Sequence, residues 1–267
     1  MAANMAPTGN RAVSAFGPVS FVQTARVLIR LAWARTGSPV LVLGIAALLL
    51  LPMVFGLVFA SRGALSGDPV DFLMGRYDSL VAGLATPLIA LLLGTSAFSA
   101  ETDDGTLLYL VTTTTPRWWI VASRVLFASV LTGLLSAVAV LGTGLIAVST
   151  SNPEQVVSAY TIAVFYGGVT YAALFTMLAL VTRRALVSGL VYVLFWEDAL
   201  SQTFQGLQYL SIRKWMAAVA ESLTPSGSDR VGPSLPFALV AALVLVSVTV
   251  YLGGRRLHRP RISRIGT

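Results

Sequence analysis

Acid–base and nucleophilic chemistry has little raw material in this chain. Its 267 residues hold eleven Asp and Glu, one histidine (His258), one lysine (Lys214) and no cysteine. His258 lies in an Arg-rich tail, where a solvated or lipid-facing role outweighs catalysis. A serine–histidine hydrolase and a histidine-ligated metal centre therefore lack their donors, and thiolate sites and disulfides are excluded. No Gly-rich loop ending in Gly-Lys-Ser/Thr is present to cradle a phosphate, so the chain is not expected to bind or hydrolyse ATP by itself. The carboxylates worth notice fall in two groups: Glu101, Asp103 and Asp104 in one, the pair Glu197 and Asp198 in the other.

The elements that must carry these residues are apolar. Hydrophobic residues make up 56%, charged residues 11%, and the mean hydropathy is +0.81. The charges fall almost entirely between long apolar runs, and a run of about 20 residues crosses a bilayer as a helix. This predicts an all-α, polytopic membrane protein with six spans at 38–60, 79–100, 118–148, 156–182, 185–196 and 235–252. The fifth is short; it either continues past Glu197 and Asp198 toward Phe204 or ends early. At the span centres no Asp, Glu, Lys, Arg or His is expected; Arg124 lies within snorkelling reach of the surface, and Glu197 and Asp198 sit at an outer boundary.

Thirteen of the eighteen basic residues gather on one side of this arrangement, including Arg26, Arg30, Arg117, Arg183, Arg184, Arg255 and Arg256, and five on the other. The positive-inside tendency then places both termini in the cytoplasm. The pI near 10.2 reads as topology and anionic headgroups rather than nucleic acid. One membrane domain is expected: a cytoplasmic N-terminus over 1–37, the six-span region over 38–252, and a basic cytoplasmic tail over 253–267.

Two amphipathic pieces lie outside the spans. Over 18–35, Gln23, Arg26 and Arg30 share a helical face and Trp33 falls on another, which predicts a helix in the interface. Over 201–223, apolar residues such as Phe204, Leu207, Trp215 and Val219 predict a re-entrant or interfacial helix within the 201–234 segment.

The stretch before the third span is the most specific. Glu101, Thr102, Asp103 and Asp104 form an acidic first turn suited to a helix N-terminus, followed by Gly105, Thr106, Leu107, Leu108, Leu110 and Val111. Four threonines, Pro116 and Arg117 then lead into a run of about 31 residues, about 46 Å as a helix and longer than the hydrocarbon core. Such a short helix, near 101–113, would either dock on another protein or form a tight loop with its leucines in the interface.

Ser99-Ala100-Glu101, then Gly105-Thr106-Leu107, then Pro116-Arg117 entering a long span, resembles the signature of ABC-2 type transporter permease subunits. The rest of the chain is similar in layout to short, stand-alone permeases of that family, including the nitrous-oxide-reductase maturation type and drug or lipid exporters. The resemblance implies the family's exporter fold (type V-like), a homodimer or heterodimer of permeases, and two separate cytoplasmic ATPase subunits that bind ATP and Mg. It further implies that 101–113 is the coupling helix, with Glu101, Thr102, Asp103, Asp104, Gly105, Thr106, Leu107, Leu108, Pro116 and Arg117 at the ATPase. The connector helix, with Arg26, Arg30 and Trp33, would be a second contact. The expected setting is a bacterial plasma membrane. The alternatives are an ATP-independent channel or secondary carrier, or a membrane anchor without transport.

Within the spans, Ser129, Gly133 and Ala137 recur every four residues and permit close helix approach, with intramolecular packing the favoured use. Tyr160, Phe165, Tyr166, Tyr171 and Phe175 either pack or line a substrate path. Glu197 and Asp198 are either an outer gate or ordinary boundary charges.

Overall fold

The computed structural model describes residues 39–62, 69–103, 117–147, 154–182, 184–200, 205–224 and 232–257, which are helical throughout, without a strand. Helix α1 covers Pro39–Arg62. The second rod has three parts: α2 (Pro69–Arg76), a π-helical segment (Tyr77–Ala85) and α3 (Thr86–Asp103). Helices α4 (Arg117–Ala147) and α5 (Glu154–Val181) follow, then α6 (Ala185–Val191), which runs into a second π-helical segment (Tyr192–Leu200). A 3₁₀ turn (Gln205–Leu210), α7 (Ile212–Leu223) and α8 (Leu235–Leu257) complete the described chain.

Five stretches are long and apolar enough to cross a bilayer: Pro39–Ser61, Val70–Ser96, Val121–Ile146, Gln155–Val181 and Leu235–Arg256. The expected fifth of six spans is instead a short apolar helix, Ala185–Glu197. The helix itself continues through the π-helical segment to Leu200.

The second rod also starts earlier than composition implies, at Pro69 rather than Ser79. Asp71, Arg76 and Asp78 read as loop residues, but the helix accommodates them. The Arg76 guanidinium lies over the rings of Phe55 and Phe72, at 5.4 and 5.5 Å. Asp78 pairs with Arg213.

Helices α4 and α5 form the centre. They cross where Gly168 faces Gly133: a Cβ on Gly168 would lie 2.8 Å from the Gly133 nitrogen. One turn away, the Ser129 hydroxyl donates to the Val169 carbonyl at 3.3 Å. The small residues at intervals of four thus serve packing within the chain, because only a missing side chain lets two backbones meet so closely. Several span hydroxyls are satisfied locally: Thr95, Thr143, Thr161, Thr170 and Thr176 each donate to the carbonyl four residues earlier.

Helices α1 and α8 flank this core and turn exposed Leu43, Leu50, Leu57, Val240, Leu243 and Val244 outward. At one end of the bundle the start of α4 meets the ends of α5 and α8. There the Arg256 guanidinium donates to the Val181 carbonyl at 3.0 Å, satisfying one of the orphan carbonyls of the last turn of α5. This is the Arg-rich end, with Arg184, Arg255 and Arg256 exposed. Arg124, about two turns into α4, is 7% exposed, covered by the neighbouring helices.

Candidate functional site

The polar residues that the fold brings together lie around Glu197, in the second π-helical segment. Its side chain is 2% exposed, the most enclosed carboxylate among the described residues. A buried carboxylate needs donors, since an unpaired charge in a low-dielectric interior is costly. Glu197 Oε1 accepts from the Tyr192 hydroxyl and from the Ile212 amide, each at 3.0 Å. Its Oε2 accepts from the Ser211 hydroxyl at 2.5 Å and from the Arg213 amide at 3.4 Å.

Three of those donors open helix α7. Ser211 is its N-cap; its extended backbone and its hydroxyl oxygen, which accepts from the Lys214 amide at 3.2 Å, start the helix. The first amides of any helix lack intrahelical partners, and the helix dipole there favours a negative charge. Glu197 answers both needs from 15 residues away in sequence.

A second carboxylate engages the same turn. Arg213 donates to Asp78 at 3.0 Å, and Asp78 belongs to the first π-helical segment. Arg213 is largely enclosed and Asp78 is 42% exposed. The guanidinium lies against Gly83, where an added Cβ would be 3.1 Å from its Cζ. Both carboxylates that grip α7 therefore come from π-helical turns, a rare geometry that recurs at functional sites. In the first, the Thr86 amide donates to the Val81 carbonyl five residues back.

The junction sits at mid-span level. Gly83 is halfway along Val70–Ser96, and Gly167, against which Met216 packs, is halfway along Gln155–Val181. Tyr192 packs edge-on against Phe175, one turn past Tyr171, with which Phe175 stacks. Glu197 is thus not an outer boundary charge, and the absence of ionisable groups at span centres expected from sequence does not hold. The sequence leaves open whether the short fifth span ends near Glu197 or continues past it; the helix continues through it to Leu200.

Helix α7 buries Ile212, Trp215, Met216, Val219 and Ala220 on one face, against α5 and α8. Of the re-entrant or interfacial helix expected over 201–223, the described part, α7, is thus packed into the bundle. The aromatic residues of α5 are largely used for packing: Tyr171 and Phe175 are fully buried, and Tyr166 donates to the Ala238 carbonyl at 2.5 Å. Tyr160 lies 5.2 Å from the Tyr77 ring.

Glu101, Thr102 and Asp103 lie in the last turn of α3, at the Arg-rich end, and Arg117 opens α4. Asp198 follows Glu197 in the π-helical segment. Asp104, Gly105, Thr106, Leu107, Leu108 and Pro116 fall outside the described residues, as do the connector residues Arg26, Arg30 and Trp33. Sequence reasoning missed Asp78, Tyr192, Ser211 and Arg213. The one local signal was a serine just ahead of an amphipathic run, an N-cap pattern.

No protein-family model matches the chain, and no curated protein matches it. What the fold defines is a multi-helix membrane protein with a polar junction enclosed among its spans.

Proposed function

We propose that the chain is a permease subunit of an ABC-2 type transporter. It forms the translocation path with a second permease and is driven by two cytoplasmic ATPase subunits, which bind the ATP and Mg. The cargo is a hydrophobic or amphipathic compound moved outward across a bacterial plasma membrane, with both chain termini in the cytoplasm.

The supporting observation is the way two helices carry the Glu101–Arg117 elbow. Helix α3 continues as far as Asp103 at the Arg-rich end. Helix α4 begins at Arg117 and runs 31 residues to Ala147, about 46 Å against a hydrocarbon core of about 30 Å. A helix of that length exceeds the apolar zone, and Glu101, Thr102 and Asp103 form the last turn of α3 at the same end. A motif presented by two extended helices suits docking on a protein better than burial in lipid.

The test uses the full-length chain co-expressed with an ATPase encoded beside it that carries Gly-x-x-x-x-Gly-Lys-Ser/Thr. Glu101→Lys and Leu107→Asp are each expected to cut recovery of the ATPase in a pull-down by about tenfold or more, the loss of one or two interface contacts. Unchanged recovery in both variants removes the coupling assignment. One observation favours a secondary carrier instead: Glu197 is an ionisable group enclosed at mid-span level. Uphill solute movement by the purified chain in vesicles, driven by an ion gradient without ATPase, would establish that reading.

A further inference from the structure

Helix α7 is attached in two physically different ways. Directional polar contacts are concentrated on its first turn: the Glu197 carboxylate on Ser211, Ile212 and Arg213, and the Asp78 carboxylate on the Arg213 side chain. Beyond that turn the side facing α5 makes smooth apolar contact. Met216 lies across Gly167, and Val219 and Ala220 cover Ala163. The glycines provide flat seats, so α7 meets no interlocking side chain at Gly83 or Gly167.

We propose that Glu197 and Asp78 form a two-point latch on the first turn of α7, and that its release lets α7 lift off α5 as a unit. This opens the bundle between the second rod, α5 and α8. Neither carboxylate touches the Arg-rich end, and the latch works whether or not an ATPase is the energy source.

The two points have different strengths. The Glu197 point is enclosed and gathers four donors, so it governs seating. The Asp78 point is a single contact to a partly exposed carboxylate, so it holds less firmly. Both carboxylates ride on π-helical segments, each of which holds a residue more per turn than the α register. Returning one such turn to α register rotates the helix beyond it by about 100°. That motion withdraws a carboxylate from α7 without unfolding either rod.

The natural chain has no cysteine, so a single reporter can be read without background. Ala163→Cys places a thiol beneath α7, and Ala173→Cys places one in a separate buried cluster with Val121 and Val125. Each is measured in the full-length chain in phosphatidylcholine nanodiscs, open to both faces, with a charged methanethiosulfonate reagent. In the Glu197→Gln background the labelling rate at position 163 is expected to rise by about tenfold or more, the change from charge-assisted to neutral hydrogen bonds. Asp78→Asn is expected to raise it by a smaller factor, and the thiol at position 173 to keep its rate in both backgrounds. An unchanged rate at position 163 in Glu197→Gln overturns the latch. A parallel rise at positions 163 and 173 overturns it as well, because the carboxylate would then be holding the whole bundle together. If Asp78→Asn exceeds Glu197→Gln, the assignment of the two points is wrong.

Discussion

The crossing of α4 and α5 offers a sharp test of how the bundle is held. A methyl group added at Gly168 would lie 2.8 Å from the Gly133 nitrogen, 2.9 Å from its Cα and 3.2 Å from the Thr132 carbonyl carbon. All three are backbone atoms, so no side chain can swing aside. Carbon contacts are comfortable near about 3.5–4.0 Å, so the helices must part by several tenths of an ångström up to about 1 Å. A gap of that size forfeits about a quarter to a half of each neighbouring contact. Overpacking of this kind costs about 1–3 kcal/mol. At roughly 2–4 °C per kcal/mol for a chain of this size, Gly168→Ala should lower the melting temperature by about 2–12 °C.

Two further glycines calibrate that value. A Cβ at Gly133 would strike the Phe165 ring at 2.6 Å, but Phe165 is 38% exposed and can turn outward. Gly133→Ala should therefore cost under about 1 kcal/mol. Gly75 has nothing within 4 Å, so Gly75→Ala should hold or raise stability through helix propensity, by up to about 1 kcal/mol. The assay is size-exclusion of the intact chain after stepwise heating in detergent. A Gly168→Ala protein that melts with the parent, or above Gly133→Ala, would refute the close backbone crossing.

Other outcomes follow from the same contacts. Tyr77→Phe removes a donor to the Val140 carbonyl at 3.0 Å and should lower stability by about 1 kcal/mol in the same assay. Glu197→Ala strands several buried donors and should cost about 3 kcal/mol, whereas Asp78→Ala should cost about 1 kcal/mol or less; equal costs would contradict the difference in burial. Cysteine at Ser66 should react with an impermeant maleimide on intact cells and cysteine at Ser263 should not. Labelling of position 263 from outside would reverse the proposed orientation.

Composition and spacing were enough to establish a helical membrane protein and four of its spans to within a few residues, because burial in lipid demands long uninterrupted apolar runs. The approach at Gly133 was legible for the same local reason: small residues four apart share one helix face. The beginning of the second rod was not legible, because Asp71, Arg76 and Asp78 look like loop residues until Phe55 and Arg213 arrive from elsewhere in the chain. Nor was the fifth helix, whose apolar composition says nothing about where its last turn stops.

The contrast is clearest at Glu197. In sequence it is one charge after an apolar run, equally suited to a boundary or a gate. Its meaning depends on the first turn of α7, 15 residues later, and that turn is itself held by Asp78, 135 residues before Arg213. Periodicity reports only what a helix does with its own neighbours. Whether a carboxylate is enclosed and what it accepts from are set by the packing of distant helices, and only the tertiary structure brings those helices together.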